Sequence, residues 1–190
     1  WFLLLYMEPS AGQTGYTFLM QTRLQDITPP SRTQQSGKVC GICEPSQTLI
    51  HLPNLSEIPV DPILLFDTMD SRRTIRDFSM DSLKKWEVSL MLHYTQGVSD
   101  GDGNQHLRTV PSAGALHPFE TYIAVNRVDG LDNGIYRYLP LDHALVREQC
   151  QSGDTSSVAA ACRKPELVIN SAVTFIWIAV PDRMIWKFGS

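Results

Sequence analysis

Arg108-Thr109-Val110-Pro111-Ser112-Ala113-Gly114-Ala115-Leu116-His117-Pro118 sets a run of small residues between two prolines, directly ahead of a strand-like segment. Ser112, Ala113, Gly114 and Ala115 leave peptide N–H groups unshielded, which close approach of a planar ring or a polar chain requires. Alone, the stretch also reads as an ordinary tight loop. Its neighbours on either side define what it belongs to.

Downstream, Thr121 to Val128 alternates in polarity, and Gly134–Leu139 and Ala144–Arg147 read as a hairpin around Pro140-Leu141-Asp142-His143. Ser156 to Cys162 is alanine-rich and helical in character, and Ala172 to Val180 is a continuous apolar run suited to a buried central strand. Upstream, Pro62 to Met69 carries apolar residues at helical spacing. A second helix, capped by Ser79 or Asp81, would set Leu83, Trp86, Leu90, Met91 and Tyr94 on one core-facing stripe and end at Gly97. The pattern is α+β, a mixed and mostly antiparallel sheet flanked by helices.

Between those helices lies Ser71-Arg72-Arg73-Thr74-Ile75-Arg76-Asp77-Phe78, three arginines and a hydroxyl in close sequence. Arg72 and Arg76 share a face if the segment stays helical and can converge on one dianion if it unwinds. A solvated basic helix end, favoured by the macrodipole, has the same composition.

Taken together, these segments resemble the SagB-type dehydrogenases, a branch of the FMN-dependent nitroreductase superfamily that includes azoline oxidases. The resemblance runs from about Leu52 to Gly189. Its pieces are the R-R-T-I-R-D-F box, Tyr94-Thr95-Gln96-Gly97-Val98, the long R-T-V-P-S-A-G-A-L-H-P box, Gly134-Ile135-Tyr136-Arg137-Tyr138 before Pro140 and His143, and Trp186-Lys187-Phe188-Gly189. They occur in the family's order.

The resemblance implies an FMN-dependent oxidoreductase of nitroreductase-like fold. Arg72, Arg73 and Thr74 would hold the FMN phosphate and nearby ribityl oxygens, and Arg76 would reach the ring edge. Pro111, Ser112, Ala113 and Gly114 would contact a flavin at the interface of a homodimer, held mainly by the partner chain. The substrate would be a small or peptide-borne azoline-like heterocycle, with molecular oxygen or another acceptor reoxidising the flavin. Lys187 is the acid–base candidate, although Phe188 stands where relatives carry tyrosine and supplies no hydroxyl. His117 likewise replaces a common tyrosine. Two other readings stay open: a nicotinamide-driven reductase of nitro or quinone compounds, and a flavin-free scaffold subunit of a peptide-modifying complex. Relatives continue past the position of Ser190, so the domain is expected to lack its C-terminal part, which would leave the Ala172–Val180 strand as an exposed edge.

Composition narrows the field. A net charge of −4 argues against a nucleic-acid surface, and 43% apolar residues is ordinary for a globular chain. Trp1 to Met7 is apolar but too short to span a bilayer and lacks a signal peptide's pattern; it reads as a fragment edge or an out-of-place start. Residues 1–57, rich in Pro, Ser, Thr and Gln, read as an irregular extension, and residues 58–190 as the FMN-binding domain. Cys40-Gly41-Ile42-Cys43 with Cys150 and Cys162 lacks the spacing of a compact zinc ribbon, so reduced thiols in a cytoplasmic protein and no metal are expected. Asp100 to Asn104 resembles a calcium loop without the later glutamate.

Overall fold

Side chains alternate between the faces of a strand, so Phe119-Glu120-Thr121-Tyr122-Ile123-Ala124-Val125 can cover two layers at once. In the computed structural model, which describes residues 2–5, 48–58, 60, 63–99, 107–148 and 155–188, this segment is strand β3. It takes its number from the chain order: β1 (Phe2–Leu5), β2 (Leu49–His51), α1 (Leu65–Ser71), α2 (Lys85–Gln96), β3 (Phe119–Val125), β4 (Gly134–Leu139), β5 (Ala144–Arg147), α3 (Thr155–Ala160), α4 (Pro165–Asn170), β6 (Val173–Ala179) and α5 (Asp182–Phe188). The sheet order is β1-β6-β3-β4-β5-β2, antiparallel throughout except that β1 lies parallel to β6. The expected α+β architecture is present.

Ile123, Val125, Tyr136, Tyr138, Leu145 and Phe175 form one face of the sheet and meet Val88 and Leu92 of α2 in a single core. By alternation, Ala124, Leu139, Ala144, Val146 and Ile176 face the other way, and they are buried too. Leu52 joins the core and Leu49–His51 pairs with β5, so the sheet takes in residues ahead of Ile58. β1 lies on the open side of β6, in the register Phe2 to Phe175 through Leu5 to Ile178. This corrects the expectation of an exposed edge, since β6 is paired on both sides.

The helix α2 departs from its expected face. Its buried residues are Val88, Ser89 and Leu92, whereas Trp86, Met91 and Tyr94 are exposed. Ser89 is the reason the stripe was misassigned, because a serine counts as polar by periodicity yet sits fully buried. Its hydroxyl donates to the Pro53 carbonyl at 2.8 Å and lies 2.7 Å from His143 Nε2. Ser79 and Asp81 bond to each other rather than capping the helix, which begins after Lys84 with the Glu87 carboxylate accepting the Lys84 N–H. Gly97 closes α2 with extended backbone, not a left-handed cap. Glycine is required there by space, since a Cβ would lie 2.6 Å from the His93 carbonyl oxygen.

Within the core, Ser89 spends its only proton on Pro53, so its oxygen accepts from His143 Nε2–H. Nδ1 is then the unprotonated nitrogen, and the Tyr138 hydroxyl donates to it at 2.9 Å. This chain fixes the neutral ring. Burial first, then the nearby His93, holds the His143 pKa below its ordinary 6.5, with the Pro53 backbone pulling the other way. Cys162 is a free thiol whose Sγ donates to the Val158 carbonyl. Cys40, Cys43, Cys150 and the Asp100–Asn104 loop lie outside the described residues. Among the described residues no helix is long and apolar enough to cross a membrane, and no cluster of His, Cys, Asp or Glu could hold a metal ion.

A folded-state pKa below the unfolded value means that the unfolded chain binds the proton more readily. Stability is therefore expected in full above about pH 6.5 and to decline as the pH falls through His143's lowered value. Urea denaturation at a series of pH values checks this, and His143→Ala should cost about 1–3 kcal/mol at neutral pH by leaving Ser89 and Tyr138 underbonded.

Candidate functional site

The antiparallel register of β3 and β6 pairs Phe119 with Ala179, and the Val180 N–H donates to the Pro118 carbonyl at 2.6 Å. Whatever precedes β3 and whatever follows β6 therefore meet at one end of the sheet. Those two segments are the small-residue loop and α5.

The loop turns tightly. Ala113–Ala115 is a 3₁₀ turn in which the Ala115 N–H donates to Ser112 O, and the Ser112 hydroxyl accepts the His117 N–H at 2.9 Å. Gly114 (φ 62°), Ala115 (φ 55°) and His117 (φ 44°) all occupy the left-handed region, which costs about 1–2 kcal/mol for each residue bearing a Cβ. Pro111, Ala113, Gly114 and Ala115 are exposed, so their backbone faces outward as the composition suggested.

Helix α5 lies across this turn. Asp182 in its first turn suits the helix N-terminus, and Arg183 and Lys187, four apart, share one face. Lys187 Nζ donates to the Gly114 carbonyl at 3.2 Å. Arg183, only 7% exposed, donates to the His117 carbonyl at 3.0 Å and to Glu120 Oε1 at 2.7 Å. Tyr122 OH reaches the other Glu120 oxygen, and its pKa is pushed up to about 12, by burial first and then by the charge of Glu120. The His117 pKa is held below its ordinary 6.5 by burial, then by Arg108 and Arg183. Lys187 thus sits in a helix, and it touches the small-residue turn.

The arginine box follows α1. α1 ends at Ser71, Arg72 caps it with non-helical backbone, and every residue from Ile63 to Asp77 is exposed. Arg72 and Arg76 therefore do not share a helical face. The Arg73 guanidinium turns back on the Asp70 and Arg72 carbonyls. Among the described residues no hydrogen bond joins Arg72, Arg73 or Thr74 to the loop. Beyond Asp77 the chain turns inward at Phe78, which lines an apolar cavity of about 620 Å³ with Leu83, Leu90, Met91, Tyr94 and Phe175. A second cleft of about 390 Å³ shares Tyr94 and Thr95 with it and adds Pro111, Phe119 and Trp177. A third, about 230 Å³, shares Pro111 and Phe119 with the second and reaches Ser112, His117 and Met184. The exposed stripe of α2 thus borders a trough that runs from the end of the arginine segment to the small-residue turn.

Sequence reasoning missed Arg183 and Glu120. The signals were present as a lone carboxylate in the apolar run of β3 and an arginine one turn before Lys187, but neither reports its partner.

The sequence profile of the Nitroreductase family matches residues 69–189, and the chain belongs to this family. It is 38% identical over 98 residues to a Methanocaldococcus jannaschii protein named "Putative nitroreductase MJ1384", covering 52% of this chain and 46% of that one. The chain thus spans about half the length of the curated relative it matches. Two crystal structures of the same description share the fold. The Ralstonia eutropha JMP134 protein has a TM-score of 0.56 at 23% identity, over 77% of this chain and 65% of that one. The Anabaena variabilis ATCC 29413 protein has a TM-score of 0.50 at 24% identity, over 65% and 25%.

At Gly114 a Cβ would fall 2.7 Å from Lys187 Nζ, a flexible tip that can move aside, whereas the positive φ cannot be relieved. Gly114→Ala should therefore cost about 1–2 kcal/mol in thermal or urea denaturation, and adding Lys187→Ala should leave most of that cost in place.

Proposed function

We propose that this protein is an FMN-dependent oxidoreductase of the SagB type that dehydrogenates a small or peptide-borne azoline-like heterocycle. The observation that carries the reading is the bond from Lys187 to Gly114, which unites two separately recognised motifs at one surface. The R-R-T-I-R-D-F and P-S-A-G-A-L-H-P boxes support the SagB assignment.

FMN, when bound, supplies a ring that accepts a hydride. The residues present fit such a group. The turn exposes small side chains and a glycine whose Cβ would crowd Lys187, and the adjoining trough is apolar, as a planar ring system requires. Pro111, Ser112, Ala113 and Gly114 would face the ring. Arg72, Arg73 and Thr74 offer fork donors and a hydroxyl suited to a phosphate dianion, and Arg76 would place positive charge at the ring edge. Because Arg72, Arg73 and Thr74 make no hydrogen bond to the turn of their own chain among the described residues, the two halves of the site fit best as contributions from two subunits of a homodimer. Dehydrogenation removes a hydride and a proton and leaves a double bond; Lys187 is the residue at the turn that would accept the proton when its amine is uncharged. Phe188 offers no hydroxyl to share that task.

The printed name of the Methanocaldococcus jannaschii relative favours a second reading, reduction of a nitro compound. Rapid bleaching of bound flavin by NADH or NADPH would distinguish it.

Arg72→Ala and Arg76→Ala should each weaken FMN retention by about 1.5–3 kcal/mol, the value of a charged hydrogen bond. Flavin absorbance of the purified variants after dialysis checks this, and unchanged flavin in both would remove the cofactor assignment.

A further inference from the structure

Arg183 takes no part in any role assigned above, yet it is the most deeply buried cation among the described residues, at 7% exposure. A guanidinium so far from water needs fixed partners. It has two, the Glu120 carboxylate at 2.7 Å and the His117 carbonyl at 3.0 Å. His117 is itself one of the left-handed residues of the turn, and so is Gly114, whose carbonyl receives Lys187. Arg183 and Lys187 are four apart in α5, so one helix face delivers both contacts. The turn is thus gripped at two of its three left-handed residues, Gly114 and His117, from a single helix. Glu120, at the start of β3, holds the deeper contact against the sheet.

We infer that Arg183 is a positioning residue: with Glu120 it clamps α5 onto the His117 carbonyl and so fixes the small-residue turn, and with it Lys187, in the shape that receives the coenzyme. Left-handed backbone at Ala115 and His117 persists only where surrounding contacts outweigh its cost. Without the clamp the turn has a lower-energy backbone available, and the face offered by Ser112 to Gly114 is lost along with the contact of Lys187 on Gly114. The inference rests on the FMN reading given above, and it adds a residue that touches neither coenzyme nor substrate.

The test compares Arg183→Ala, Arg183→Lys and Glu120→Gln in the whole protein, with two measurements. Hydrogen exchange of the flavin-free protein follows the amides of residues 112–117, with the β4–β5 hairpin as internal control. Titration with FMN gives the dissociation constant. Arg183→Ala is expected to speed exchange in the turn but not in the hairpin, and to weaken FMN binding about tenfold or more. Arg183→Lys, which can reach one acceptor but not both, should recover part of both effects. Glu120→Gln keeps the shape, removes the charge and should fall between wild type and Arg183→Ala; it also serves if the alanine variant does not fold. Unchanged exchange in the turn for both Arg183→Lys and Glu120→Gln would overturn the clamp, and a loosened turn with unchanged FMN affinity would overturn its service to the coenzyme. A wild-type protein that takes up no FMN would instead remove the reading on which the inference rests, whatever the variants do.

Discussion

The register of β3 against β6 is the constraint on which the rest depends. Seven consecutive pairs, from Phe119 with Ala179 to Val125 with Val173, decide which loop meets which helix. A slip of one residue would turn either Ile123 or Phe175 away from the core and point its neighbour Ala124 or Thr174 into it. It would also carry α5 out of reach of the turn ahead of β3. Burial of the core and assembly of the candidate site are thus consequences of one pairing.

That pairing separates two kinds of environment. Toward β4 and β5, polar groups inside the protein are satisfied in a closed chain from Tyr138 through His143 and Ser89 to Pro53. At the other end the backbone is strained and the peptide groups look outward. Strain of this kind is kept where function needs a shape that the chain would not choose.

The sequence carried the parts whose rules are local. The bounds of the β4–β5 hairpin were legible, because Pro140-Leu141-Asp142-His143 has turn chemistry between two short apolar arms. The small-residue loop was legible for the same reason. What escaped was set at long range. Val88 and Leu92 face the core because Ser89 finds partners in Pro53 and His143, which no helical periodicity reveals. The Phe2–Leu5 strand finds its place only through β6. The helix that carries Lys187 starts at Asp182, just after Pro181, a signal that the apolar run before it obscures. Arg183 and Glu120 became visible only as a pair.

The central claim is that the turn gripped by α5 is where the coenzyme lies, and a crystal structure of the whole protein with FMN tests it most directly. The account predicts the ring against the peptide groups of Ser112 to Gly114, with Arg72 and Arg73 on the phosphate. FMN seated elsewhere, with the turn and Lys187 bare, would contradict it.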